Sequence, residues 1–168
     1  MALQDKNTGL FHSQDGAKMN FDVFISKFAK IKLEYTKIGN KYFLADEEMK
    51  ELSKKLNCNI AAIGLILGED KKDKFTPSIA LLEILSKVSD EKVFVNYIGE
   101  IDFLYGKDLK KRHILRFTGG SKEGFFKLIQ NEHDENIGYG KISAELTGSK
   151  AEIACLLDRG DFIRREKS

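Results

Sequence analysis

A chain of 168 residues with 42% hydrophobic content holds enough apolar side chain for one sizeable core or two small ones, which excludes a disordered tail as its general character. Its 28 Lys and Arg stand against 26 Asp and Glu, and the resulting net charge of +2 excludes any case for a polyanionic partner built on total charge. Such a case has to rest on local clustering.

Residues 1–18 are polar, contain two glycines and show no sustained period, so they read as a flexible leader, with Met19 a candidate functional start. Phe21, Phe24, Ile25, Phe28 and Ile31 then fall at helical spacing and predict an amphipathic helix through about Lys30. The period changes to alternation in LEYTKI and KYFLA, two strands joined at a short turn carrying Gly39 and Asn40. Asp46 is a plausible N-cap for EEMKELSKKL, whose charge order suits the helix dipole. Ile60 to Leu67 reads as a buried strand, EDKKDK (69–74) as a solvent loop, and Ala80 to Val88 as a helix. Polar SDEK, 89–92, marks a boundary. It separates an N-terminal domain, 19–90, from a second domain, 91–168, that opens on the strand VFVNYI.

Phe103 to Ile114, FLYGKDLKKRHI, joins an apolar anchor, a glycine and a run of cations. Lys107, Lys110 and Lys111 recur at the spacing that puts side chains on one face of a helix, and Gly106 just before them would expose backbone N–H groups to a phosphate. Arg112 and Arg116 extend the positive character, although in a generic sequence such cations more often solubilise a helix. Short strands follow at Ile114 to Phe117, Phe125 to Gln130, Gly138 to Ser143 and Ala151 to Leu157, at the intervals of a small barrel or curled sheet. The fold class is therefore α+β: an N-terminal α/β domain with a small antiparallel sheet flanked by helices, then a β-barrel.

Cation clustering of this kind attracts nucleic-acid phosphate. Arg164 and Arg165, after Phe162 and Ile163, point in different directions, so at most one shares a groove with the lysines; Arg159 either touches nucleic acid or pairs with a neighbouring aspartate. Tyr105 and Tyr139 can stack on unpaired bases, with core packing the weightier role for each. No metal site is expected: His12, His113 and His133 are scattered, and Cys58 and Cys155, both with interior-looking neighbours, form no CxxC pair. No cofactor motif is present. Catalysis has no visible seat, because Asp102, Asp108, Asp158 and Asp161 each have a structural reading as cap, turn or ion-pair residue. The apolar run at 60–67 is too short to cross a bilayer, so no membrane association is expected.

The FLYG segment at Phe103, Leu104, Tyr105 and Gly106, the strand NIGYGK at 136–141 and the closing LLDRGDFIRR at 156–165 resemble the PUA domain, a small β-barrel-like RNA-binding module. The domain order, hairpin then YFLADEEMKELSKKL, IAAIGLIL and VFVNYIGEIDFLYGKDL, is similar to the ribosome-biogenesis family called Nip-seven. Asp158, Gly160, Asp161, Phe162, Arg164 and Glu166 meet that family's closing pattern with two mild changes, while His113 stands where its pattern puts the glycine ending a basic helix. The loop LTGSKAE offers one cation, Lys150, where family members place several, so Lys107, Lys110, Lys111, Arg112 and Arg164 carry more weight.

The resemblance implies a monomeric, non-catalytic assembly factor for the large ribosomal subunit, with RNA, specifically pre-rRNA, on the PUA domain and assembly proteins on the N-terminal domain. It implies a cytoplasmic location, nucleolar in a eukaryote. The RNA-binding set it points to is Tyr105, Gly106, Lys107, Lys110, Lys111, Arg112, Lys150, Arg159, Arg164 and Arg165. Two readings compete: an RNA-modifying enzyme or its RNA-targeting subunit, of the pseudouridine synthase or transglycosylase type, and a protein adaptor whose cations only solubilise it.

Overall fold

The computed structural model describes residues 19–56 and 58–165. Four helices begin in the same way. Asn20, Asp46, Ser78 and Asn96 each hold an extended backbone while a side-chain oxygen accepts the N–H three residues on, a cap that contributes about 1 kcal/mol. They start α1 (Phe21–Ser26), α2 (Glu47–Lys55), α3 (Ile79–Val88) and α4 (Tyr97–Leu104).

The first sheet is antiparallel and runs in chain order: β1 (Thr36–Ile38), β2 (Lys41–Leu44), β3 (Leu65–Lys71) and β4 (Lys74–Pro77). Against it lie Phe21, Phe24 and Ile25 of α1 and Leu81, Leu82 and Leu85 of α3, all buried. The Phe21 ring stacks on Tyr42 at 4.9 Å and meets Phe75 edge-on at 5.2 Å, so aromatic geometry adds to the burial of each ring.

The second sheet contains β5 (Lys92–Val95), β6 (Leu109–Lys110), β7 (Ile114–Phe117), β8 (Phe126–Gln130), β9 (Asn136–Ala144) and β10 (Glu152–Asp158) in the order β6-β10-β9-β8-β5-β7. Only the β5–β8 pairing is parallel. Its two edge strands, β6 and β7, are joined directly by a 3-10 turn at Lys111–His113, so the sheet curls into a nearly closed barrel. Val93, Val95, Phe103, Leu109, Ile129, Ile142 and Ile153 fill it. A short helix, α5 (Gly160–Arg165), follows β10.

The two sheets share packing. Leu128 of β8 is buried in the first core, Tyr139 of β9 meets Phe24 edge-on at 5.4 Å, and Ser89 Oγ donates to Phe28 O at 2.7 Å. Contacts with Phe24, Phe28 and Phe126 make this ring a packing group, and its burial pushes the phenol up to about 12. One charge is also fully interior: the Lys127 ammonium lies 2.6 Å from Glu91 Oε2 and donates to Thr118 O, while the same carboxylate accepts the Gly120 N–H at 3.1 Å. Burial lowers the Lys127 pKa and Glu91 opposes that, so the pair holds the 118–120 loop against β8.

Several expectations fail for local reasons. VFVNYI is not one strand: β5 stops at Val95 because Asn96 caps α4. The anticipated basic helix after Gly106 does not form, so Lys107, Lys110 and Lys111 share no helix face; the helix precedes the glycine, and the cations sit on β6 and the 3-10 turn. The run from Ile60 is neither strand nor buried over its first half; β3 starts at Leu65, and Leu65 and Ile66 are exposed. EDKKDK is a hairpin, not a loop, turning at Lys72 and Asp73 with φ of 45° and 67°. Cys58 is exposed, not interior, and Cys155 is half-buried. The leader, 1–18, lies outside the described residues.

Candidate nucleic-acid interface

The candidate cations gather at two places, the turn after β6 and the far end of β10, with Lys107, just after α4, at neither. The chain reaches the first by ending α4. Gly106 takes φ +77°, its N–H donates to Phe103 O at 2.8 Å, and Lys107 N donates to Asp102 O at 3.0 Å, which closes off the helix carbonyls. Gly106 is therefore a helix stop, and the anion seat expected of its backbone at a helix start is absent. Tyr105 beside it is exposed, contrary to the core role given more weight.

Beyond the stop, β6 pairs with β10 through Lys110 opposite Glu152 and Leu109 opposite Ile153. The turn 111–113 and the loop 149–152 then face each other across a concave groove of about 390 Å³, lined by Lys110, Lys111, Arg112, Ser149, Lys150, Ala151 and Glu152. Lys110 pairs with Glu152 across the strands, and Lys111 Nζ donates to Leu146 O at 3.1 Å, so the groove walls are tied together. Four cations thus line a groove that contains one carboxylate, Glu152, which pairs with Lys110. Lys150, ranked below the other cations from sequence, is brought into this cluster.

The other candidates lie elsewhere. Lys107 is bonded to Asp102 at 2.8 Å, which holds that carboxyl below the usual range. Arg164 forms two hydrogen bonds with buried Asp158, at 3.0 and 2.9 Å, and a third with Leu104 O, so it ties the chain end to the C-terminus of α4. That pairing raises the Arg164 pKa. Gly160 is required here because a Cβ would overlap Leu104 O. Arg159 pairs with Glu83 of α3 at 3.0 Å, its bond running to a helix packed on the first sheet, not to a neighbouring aspartate. Arg165's side chain lies outside what is described. Asp158 and Glu152 are six residues apart on β10, about 20 Å of extended chain, so the Arg164 corner and the Lys110–Lys150 groove are separate places.

The carboxylates near the glycine-marked segments are all engaged. Asp102 holds Lys107 and faces His113 at 3.5 Å, Asp108 accepts the Cys155 N–H at 2.9 Å, and Asp158 and Asp161 face Arg164. Among the described residues no three His, Cys, Asp or Glu side chains converge as a metal site, and no helix is long and apolar enough to cross a membrane. Sequence reading missed one participant, His113, which is buried under the turn and accepts the Lys110 N–H at Nδ1. Its signal was an isolated histidine among cations beside an apolar strand.

A family described as the UPF0113 PUA domain matches residues 91–167. The chain is 27% identical over 132 residues to the 60S ribosome subunit biogenesis protein nip7 of Schizosaccharomyces pombe, covering 74% of this chain and 73% of that protein. It is 28% identical over 133 residues to the Saccharomyces cerevisiae protein NIP7, with the same coverage. Among solved structures, a PUA domain protein from Thermoplasma acidophilum superposes with a TM-score of 0.50 at 20% identity, over 75% of this chain and 98% of that one, a likeness of fold alone. With its curled second sheet, its glycine-stopped α4 and these relatives, the chain is similar to the Nip7 proteins over about three quarters of its length, and its residues 91–167 match the UPF0113 PUA domain.

Proposed function

We propose that this chain is a non-catalytic RNA-binding factor in large ribosomal subunit biogenesis, holding pre-ribosomal RNA on its PUA domain. The observation that carries the reading is the groove in which Lys110, Lys111, Arg112 and Lys150 surround one carboxylate, Glu152. Phosphates that displace counterions from such a site give affinity that falls steeply with salt, and contacts of this kind position an RNA chain without reading its bases. The relatives named as 60S biogenesis proteins supply the process, and ribosome assembly sets the location, cytosol or nucleolus.

The N-terminal domain takes assembly proteins in this reading. Support comes from α2, which buries none of its residues and leaves Met49, Leu52 and Leu56 exposed at helical spacing, with Leu65 and Ile66 of β3 also exposed. The test is a salt titration of binding to a fluorescently labelled oligouridylate, together with sedimentation of the tagged protein from cell extract. A slope of log K against log salt near −2, as about three phosphate contacts to a single strand would give, and co-migration with large-subunit precursors are expected. Salt-independent binding, or migration only with free protein, overturns the proposal.

A further inference from the structure

His113 is almost fully buried, at 2% exposure, beneath a turn made otherwise of exposed cations. Three parts of the molecule close around it. A Cβ on Gly99 of α4 would come within 2.8 Å of the His113 Cβ, so glycine admits the ring against the helix. The Lys110 N–H donates to Nδ1 at 3.2 Å, while Asp102 Oδ2 lies 3.5 Å and Arg112 Nε 3.1 Å from Nε2.

A neutral imidazole has one nitrogen with a free lone pair and one that carries hydrogen. It cannot accept from both the Lys110 N–H and the Arg112 Nε–H. The Lys110 backbone is fixed by its strand pairing with Glu152, whereas the Arg112 side chain is exposed at the groove margin and can turn. The arrangement that satisfies the fixed donor leaves Nδ1 bare and puts the hydrogen on Nε2, facing the Asp102 carboxylate. Arg112 Nε–H then meets a donor and has no reason to stay.

We propose that His113 is the positioning residue of the cationic groove: its neutral, Nε2-protonated imidazole fixes the Lys110 backbone and turns the Arg112 guanidinium outward to an RNA phosphate. The groups facing the ring are Asp102 on α4, Lys107 after it, Lys110 on β6 and Arg112 on the turn. Burial and then Arg112 disfavour the charged ring, Asp102 alone favours it, and the balance is a pKa below the ordinary value of 6.5. Protonation at Nδ1 sets N–H against N–H at Lys110 and loosens the turn. The role rests on the RNA-binding reading; the tautomer does not.

The experiment uses the full chain and three readouts. Long-range nitrogen–proton correlation at pH 7.5, with His113 assigned by its loss in His113→Asn, is expected to show Nδ1 bare and Nε2 protonated; the opposite tautomer overturns the proposal. In anisotropy titrations with labelled oligouridylate, His113→Phe, which keeps the ring volume without an acceptor, is expected to bind about three- to tenfold more weakly, and His113→Asn, which keeps an oxygen near Nδ1, within twofold of the parent. Parent-like binding by His113→Phe overturns the idea.

Acidification from pH 7.5 to 5.5 is expected to weaken the parent relative to His113→Asn; tighter binding by the parent, the outcome of added charge alone, refutes positioning. Should His113→Phe not fold, the tautomer and the pH comparison still decide. If no form of the protein binds RNA, the RNA reading fails with the groove role, while the tautomer separately decides the hydrogen-bond assignment.

Discussion

The two ends of β10 carry the same chemical cargo and use it in opposite ways. At the Glu152 end, four cations from the turn and the facing loop line a groove with one carboxylate; at the Asp158 end, Arg164 holds both oxygens of a buried carboxylate and a backbone carbonyl, and Arg159 is engaged by Glu83 on another element. Arginines near Asp158 therefore tie elements of the fold together, and in the proposed reading the cations near Glu152 are the ones that meet a polyanion. What separates a structural cation from a binding one is the carboxylate it already faces, not its place in a run of Lys and Arg.

The largest expected effect breaks the first end. Replacing Lys111, Arg112 and Lys150 together by alanine removes the groove cations that have no carboxylate partner among the described residues. RNA affinity near 100 mM salt is expected to fall at least tenfold and the salt slope to flatten by about two, read by anisotropy across a salt series. At the second end, Arg164→Ala is expected to leave RNA affinity within twofold and lower stability by about 1–3 kcal/mol in a urea melt, because Asp158 keeps its burial and loses both charged hydrogen bonds. A variant that behaved the other way round would reverse the assignment of the two ends.

A smaller effect sharpens the groove end through pH. The folded-state pKa of His113 is depressed, so below about 6.5 the unfolded chain binds a proton that the folded chain resists, and stability declines as pH falls through that window. Urea midpoints at pH 7.5 and 5.5 are expected to differ more for the parent than for His113→Asn. Equal differences would mean that the ring is not held neutral by its surroundings.

Local chemistry made much of the fold legible, and long-range pairing concealed the rest. The 114–117 strand, α3 and the Asp46 cap follow from period and cap residue alone. Helix α4 was hidden because the apolar run from Val93 to Ile98 continues smoothly through the point where Asn96 folds its side chain onto the Gly99 N–H. The β3–β4 hairpin was hidden because its turn puts Lys72 and Asp73, where glycine or asparagine would be the expected signal, at positive φ. In the site, the cluster from Lys107 to Arg112 is plain in the sequence. Which of the candidate cations are neutralised is not, because Glu152 lies 42 residues from Lys110 and Glu83 lies 76 from Arg159.

The smallest expected effect concerns the residue that belongs to neither end. Lys107 follows the helix stop, is well exposed, and is bonded to Asp102, whose other oxygen faces His113. An exposed ion pair of this kind is worth about 0–1 kcal/mol, so Lys107→Ala is expected to change stability by less than about 1 kcal/mol and RNA affinity by no more than twofold. A loss matching that of Lys111→Ala in the same titration would mean that RNA pulls Lys107 away from Asp102. The binding surface would then run from the groove over the end of α4, past exposed Tyr105, and Asp102 would be left to pair with the imidazole alone.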